Sequence, residues 1–232
     1  MKKILLATAI LTLTLGMEKL YGIGVEITGR ELGLKFALEY NRTFLFCWDI
    51  SAVGTLRLNN RHSVRGGIAP GSVGETFEVK WFAGGEVAPF ASIPIYLGLD
   101  YKHNALPGYK YQSRSLRLLA SFNQMRWGFS AGPTFRFSTF FEEYTVFEPI
   151  LSFSAHVFFI NNEFLCVGLR IANFSEFSSR TMAAHFLNFN TLIRLNERLS
   201  LVNEIHIHQS GSFALAANLY GLVYRGGLLF LW

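Results

Sequence analysis

Leu222-Val-Tyr-Arg-Gly-Gly-Leu-Leu-Phe-Leu-Trp232 is the last stretch of the sequence. Counted back in twos, it gives Trp232, Phe230, Leu228, Gly226, Tyr224 and Leu222. That row is apolar or aromatic apart from one glycine. The other row holds Arg225, the only charge in the stretch. Alternation with a period of two marks a strand with unlike faces. A greasy face that runs to the final residue is unusual for a water-soluble domain, whose ends usually fray.

The same period recurs upstream. Phe44, Phe46, Trp48, Ile50, Ala52, Gly54, Leu56 and Leu58 form one row, against Cys47, Asp49, Ser51, Thr55 and Arg57. Phe77, Val79, Trp81 and Ala83 oppose Glu78 and Lys80. Trp127, Phe129, Ala131, Pro133, Phe135 and Phe137 oppose Ser130, Thr134, Arg136 and Ser138. Leu165, Val167, Leu169 and Ile171 oppose Cys166, Gly168 and Arg170. Short polar breaks separate the rows: Asn41-Arg42, Asn59-Asn60-Arg61, Asn123-Gln124, Asn161-Asn162 and Asn196-Glu197. Asn tolerates the left-handed region that tight turns need. Longer breaks fall at 70–74, 103–112, 139–145 and 173–180, and none reads as long enough to fold inward. The parse gives twelve strands, at 30–40, 43–58, 62–69, 75–87, 93–102, 113–122, 126–138, 146–160, 163–172, 181–195, 198–208 and 213–232. Ten strands is the alternative. A slip of phase between Phe213 and Tyr220 predicts a bulge or an excursion of the loop.

Composition narrows the class. The chain is 50% hydrophobic, 16% aromatic and only 16% charged, which is apolar for a soluble domain. No stretch after the first residues reaches 18 unbroken apolar residues, so the hydrophobicity is spread over alternating strands. Lysines and arginines are scattered singly despite a net charge of +5, and no nucleic-acid stripe emerges. Met1-Lys2-Lys3 followed by the apolar run 4–15 has the outline of a secretory signal peptide, 1–22, cleaved after Gly16 or Gly22. Residues 23–232 then form one domain.

These features together resemble those of bacterial outer-membrane β-barrel proteins. The resemblance covers the whole mature chain, and its motifs belong to a class rather than to a specific family. It implies an all-β, antiparallel transmembrane barrel in the outer membrane of a diderm bacterium, reached through the secretory pathway. It implies that outer-membrane lipid faces the aromatic rows, with Tyr40, Phe44, Phe122, Trp127, Phe159 and Trp232 near the interfaces. It also implies that Tyr224, Leu228, Phe230 and Trp232 are read by the barrel-insertion machinery, with periplasmic chaperones as transient partners. An even strand count puts both ends of the barrel on the periplasmic side, with short turns there and longer loops outside.

The opposite rows then face a lumen roughly 24 Å across its backbone. They place a charge network inside: Asp49, Arg57, Arg65, Glu78, Lys80, Arg136, Glu148, Arg170, Arg194, Glu204, His206, His208 and Arg225, with Arg61, Glu86, Asp100, Lys102 and Arg117 beside them. Two readings stay open. One is a narrow pore or transporter for small polar solutes with a weak preference for anions. The other is a structural or surface-interaction barrel whose lumen is closed by salt bridges. Glu204, His206 and His208 share a face and could bind a metal only with a third ligand from a neighbouring strand, so no metal or other cofactor is expected. Ser152, Ser154 and His156 share a face too, but no G-x-S-x-G or H-x-x-E-H spacing occurs. A barrel enzyme is the least favoured reading. Cys47 and Cys166 are candidates for a disulfide.

Overall fold

Backbone hydrogen bonds join Arg30 to Trp232 in both directions, each at 3.0 Å. They close a ring of strands on itself. The computed structural model describes residues 29–41, 46–59, 61–90, 92–181, 184–210 and 218–232. The region read as a signal peptide lies outside these residues. Among the described residues the chain forms twelve strands: β1 (Gly29–Asn41), β2 (Phe46–Asn59), β3 (His62–Val73), β4 (Thr76–Val87), β5 (Ile95–Leu106), β6 (Tyr111–Asn123), β7 (Trp127–Phe140), β8 (Tyr144–Asn161), β9 (Leu165–Ala172), β10 (Ala184–Arg194), β11 (Leu199–Ser210) and β12 (Asn218–Leu231). Each pairs antiparallel with its sequence neighbours, and β12 pairs with β1. Closure leaves no unpaired edge, which a sheet in hydrocarbon requires. An even number of strands puts β1's start and β12's end on one rim, the terminal rim. The opposite rim is the far rim.

The strand count matches the sequence reading, while several boundaries move. Residues 70–74 are mostly strand, because β3 runs through Pro70 to Val73. The ladder between β2 and β3 pairs Asp49 with Gly71 and Ala52 with Ile68, with no pair at Pro70 between them. Pro133 interrupts the ladder between β6 and β7 in the same way. A proline lacks the N–H that would complete each ladder. Likewise β5 runs on to Leu106, and the expected long break at 103–112 shrinks to a short 3-10 turn at Pro107–Tyr109. Three of the far-rim connections, 74–75, 107–110 and 141–143, are therefore shorter than expected, and a longer one, 88–94, lies on the terminal rim. The irregularity expected near the last strand is a register shift between His208 and Gln209. Residues 211–217 lie outside the described set.

The exposure pattern is that of a soluble protein turned inside out. Asp100 is 1% exposed and Arg117 2%, while Leu99 is 48% and Phe129 52%. Water outside such a surface would be costly, because burying apolar area is worth roughly 25 cal/mol per Å². A bilayer removes that cost and demands the alternation. Aromatic contacts gather near the rims: Phe122 lies 5.3 Å from Trp127 and 5.9 Å from Phe129. Phe159 and Trp232 are exposed on the terminal rim. The side chain of Tyr40, and Phe44 as a whole, lie outside the described residues.

The seam is held tightly at Gly227. A Cβ there would sit 2.1 Å from the Leu34 carbonyl oxygen and 2.7 Å from the Lys35 Cα. Backbone cannot yield as a flexible side chain can. Gly227→Ala is expected to cost about 1–3 kcal/mol and to force β12 away from β1. Unboiled samples on gel electrophoresis should then unfold at lower temperature than wild type. An unchanged transition would show that the seam has slack.

Candidate functional site

The connection between β9 and β10 folds into the barrel, against the expectation that no loop was long enough to do so. Ala172 and Asn173 are fully buried. Asn173 continues the sheet with its side chain. Its Oδ1 accepts from the Phe153 N–H at 2.8 Å, and its Nδ2 donates to the carbonyls of Leu151 (2.8 Å) and Arg180 (3.0 Å). Beyond it, Phe174 and Ser179 pair as an isolated antiparallel bridge, and the Ser175 N–H donates to the Ser178 carbonyl at 2.8 Å. The two serines also bond through their hydroxyls at 2.9 Å. Short hydroxyl side chains favour such turns because they satisfy nearby backbone groups locally. The result is a small hairpin with Glu176 and Phe177 at its tip.

Phe177 seats the tip at mid-depth. Its ring lies 5.2 Å from Phe82 of β4, edge to face, in a buried cluster with Ala69 of β3. On the other flank, cations from four strands converge on the hairpin backbone. Lys102 of β5 donates to the Ser175 carbonyl and to the Ser178 carbonyl at 3.1 Å. Arg117 of β6 donates to the Ser175 carbonyl at 3.3 Å. Arg136 of β7 donates to the Ser179 carbonyl at 2.7 Å. Arg170 of β9 donates to the Phe174 carbonyl at 3.4 Å. The Arg117 and Arg170 guanidinium groups also lie 4.0 and 5.1 Å from the centre of the Phe174 ring, a cation–π geometry.

Charged residues of the inward rows pair with one another in the lumen. Arg65 makes a bidentate pair with Asp100, Nε to Oδ1 at 3.2 Å and Nη2 to Oδ2 at 2.9 Å, and Arg117 pairs with the same carboxylate. Arg136 pairs with Glu148 at 2.7 Å. Lys80 bridges Glu78 (2.7 Å) and Asp49 (3.3 Å). Glu204 accepts from Lys35 at 2.6 Å and contacts His206 at 3.0 Å. Arg180 meets His208 at 3.1 Å. Arg225 stands opposite Glu204 in the ladder. Three predicted residues sit elsewhere, and one of them, Arg61, is exposed in the turn between β2 and β3 on the terminal rim. Arg57 is at the terminal rim, largely exposed and paired with Glu31 at 2.6 Å. Arg194 is exposed and donates to the Asn162 carbonyl in a turn on the same rim. They lie at strand ends, where the inward row has already reached water. Lys35 and Glu176 were missed.

The hairpin does not fill the lumen. Between it and the wall of β1–β4 and β10–β12 lies a cavity of about 230 Å³ on the far-rim side. Both signs of charge line it, with Glu39, Asp49, Glu78 and Lys80 on one side and Arg180, His206, His208 and Arg225 on the other, above the Phe177 ring. Cys47 lines it as well. Cys166 pairs with Asn161 at the other rim, and no disulfide joins it to Cys47. Among the described residues no group of three metal-ligating side chains forms. Ser152 bonds to Thr134 at 2.6 Å, and Ser154 accepts from Arg170 at 2.8 Å.

The chain's sequence matches no family model and no curated protein. Solved structures do share its architecture. The NanC porin superposes with a TM-score of 0.59 at 9% identity, over 86% of this chain and 98% of the porin. The translocator domain of the autotransporter NalP from Neisseria meningitidis gives 0.54 at 11% identity, over 97% of each chain. The Acinetobacter baumannii outer membrane protein Omp33 gives 0.50 at 13%, over 90% of this chain and 100% of the other. The fold is that of bacterial outer-membrane β-barrels. At such identities the likeness extends to the fold, while the hairpin and its cations are read from this chain's own residues.

The hairpin tip carries its own titrating group. Lys35 of β1 holds the Glu176 carboxyl below the ordinary carboxylate range, helped by Arg225 of β12 and Arg170 of β9 and opposed by burial and by Glu204 of β11. A carboxyl whose value is lowered on docking favours the docked hairpin when ionised. That contribution is complete above the undocked value near 4.5 and fades as pH falls through the lower docked value. The hairpin should therefore stay seated from neutral pH down to the ordinary carboxylate range and loosen only in stronger acid. Hydrogen exchange of the hairpin amides, followed from pH 7 into acid, should show a step above the intrinsic trend that Glu176→Gln abolishes. A step that survives in Glu176→Gln would assign it to another carboxylate.

Proposed function

We propose that the chain is a narrow outer-membrane pore for small polar solutes, with its bore set by the inward hairpin. The observation that carries this reading is the cavity left beside the hairpin. A barrel serving only as a scaffold would gain stability by packing its lumen fully, since voids forgo contacts. Here the residual space is lined by charges of both signs and opens toward one rim. The inverted exposure pattern supports a bilayer location, and a porin is among the proteins that share the fold. Charged rings and a constriction are what set selectivity in pores. In the same reading Tyr224, Leu228, Phe230 and Trp232, all on the outward row, are presented to the insertion machinery during assembly.

Planar-bilayer recording of the refolded protein tests this. Wild type should give small, discrete steps. A variant in which Gly-Gly replaces 174–179 should give steps several-fold larger, because the constriction is gone. If both proteins are electrically silent while shifting on unboiled gels as folded barrels, the lumen is closed and the structural reading takes its place.

A further inference from the structure

The wall that holds the hairpin carries more positive charge than its carboxylates balance. Arg65, Lys102, Arg117, Arg136 and Arg170 face two ion-paired carboxylates, Asp100 and Glu148, and the Glu176 carboxylate of the hairpin tip is shared by Arg170 with Lys35 and Arg225. Among the described residues Lys102 and Arg170 make no carboxylate ion pair. Lys102 is nevertheless 2% exposed, and two backbone carbonyls take its hydrogen bonds. A buried cation normally has an anionic partner, because neutral dipoles replace only part of its lost hydration. The geometry is also that of an anion site. Lys102 and Arg117, from adjacent strands, point at one oxygen, the Ser175 carbonyl. Arg136 and Arg170 hold the next two oxygens along the hairpin, those of Ser179 and Phe174. In effect the hairpin presents an arc of neutral oxygens to a cradle of cations.

We propose that Lys102, Arg117, Arg136 and Arg170 form a binding site for a small multivalent oxyanion, that the carbonyls of the 174–179 hairpin occupy this site in the closed barrel, and that an oxyanion solute displaces them and opens the lumen. The site itself stands on the geometry above, and the opening step rests on the pore reading. An oxyanion accepting from these cations adds charge–charge attraction that a neutral carbonyl, accepting only as a dipole, lacks, so the exchange is favourable at the cations. The hairpin's hold is then left to Phe177 against Phe82 and to Glu176. The far-rim cavity beside the hairpin is lined by Arg180 and Arg225 but also by Glu39, Asp49 and Glu78, so the pull on an anion comes from the cradle itself. The solute class is therefore a di- or trivalent oxyanion, a phosphate or a dicarboxylate, small enough for a cavity of about 230 Å³.

The test reads the hairpin directly. Refolded barrel in detergent is exposed to chymotrypsin, which cuts after Phe174 and Phe177 only when the hairpin leaves the lumen. Inorganic phosphate and succinate are titrated in separate arms, with ionic strength held constant by sodium chloride. Saturable cleavage in either arm is expected, and the arm that responds identifies the oxyanion class. No response in both arms, or equal cleavage with chloride alone, overturns the site. Lys102→Gln and Arg170→Gln each remove one cation and leave the other three to hold the hairpin carbonyls. The hairpin should stay protected in both variants, while the oxyanion needed for half-maximal cleavage rises tenfold or more. An unshifted midpoint in both folded variants overturns the assignment. Conductance in the same buffers separates the two ideas: oxyanion-dependent cleavage without current keeps the site and removes the pore.

Discussion

Asp100→Ala is expected to lower the unfolding free energy of the barrel by about 3–5 kcal/mol, the usual result of removing one partner from a buried ion pair. Asp100 stands at the centre of the lumen with its side chain 2% exposed. It accepts from the Arg65 fork at 2.9–3.2 Å and from the Arg117 Nε at 3.2 Å and Nη2. Without it two guanidinium groups face each other beside Lys102, with the Ser175 carbonyl left to Arg117 and Glu86 to Arg65. Gly84 on the neighbouring strand is already shaped for this carboxylate, since a Cβ there would lie 2.2 Å from the Asp100 Oδ1. Asp100→Asn keeps acceptor capacity and volume, so it should cost less than Asp100→Ala. Urea unfolding of the barrel in lipid vesicles measures both. A loss below about 0.5 kcal/mol for Asp100→Ala would mean that water, rather than this carboxylate, solvates the arginines. The seating of the hairpin should loosen in the same variant, because Arg117 would lose the partner that aims it at Ser175.

The barrel was legible because lipid imposes one rule on every strand. Any inward or outward row, from Phe36 on β1 to Phe230 on β12, repeats it, and a count of rows gives the count of strands. Where the rule weakens, the reading moved the boundary. Pro70 looks like a break because proline usually ends strands, yet on β3 it faces outward at a gap in one ladder. His103 and Asn104 look like a loop because both are polar. His103 in fact points out toward Trp81, 5.7 Å between rings, and Asn104 points in to Glu78 at 3.0 Å. The hairpin was illegible for a different reason. Its position depends on charges far along the chain, as in the bond from Lys102 to Ser178, 76 residues away, and no local pattern encodes that. Two signals were present all the same. Phe174 and Phe177 are large apolar residues in a connection otherwise made of serines and charges, and they need somewhere dry. The inward cations also outnumber the inward acids, which leaves positive charge seeking acceptors.

Depth-dependent cost decides whether the outer face meets lipid. Leu118 lies near the middle of β6, pairs across the ladder with Leu99 of β5, and points outward, 43% exposed. If hydrocarbon surrounds it, Leu118→Arg brings a guanidinium to the bilayer midplane, at about 2–4 kcal/mol. If water surrounds it, the same change is a surface substitution worth within about 0.5 kcal/mol of zero. Phe164 provides the comparison. It sits in the turn between β8 and β9 on the terminal rim, 73% exposed. An arginine there reaches the interface, where the cost falls to about 0–1 kcal/mol. Urea unfolding in vesicles should therefore separate the two variants by at least about 1–2 kcal/mol, with Leu118→Arg the weaker barrel and the poorer inserter. Equal stabilities would mean that the aromatic exterior meets something other than a bilayer. The same pair of variants leaves the lumen untouched, so a loss of conductance confined to Leu118→Arg would follow from failed insertion and not from altered chemistry at Lys102, Arg117 or the hairpin they hold.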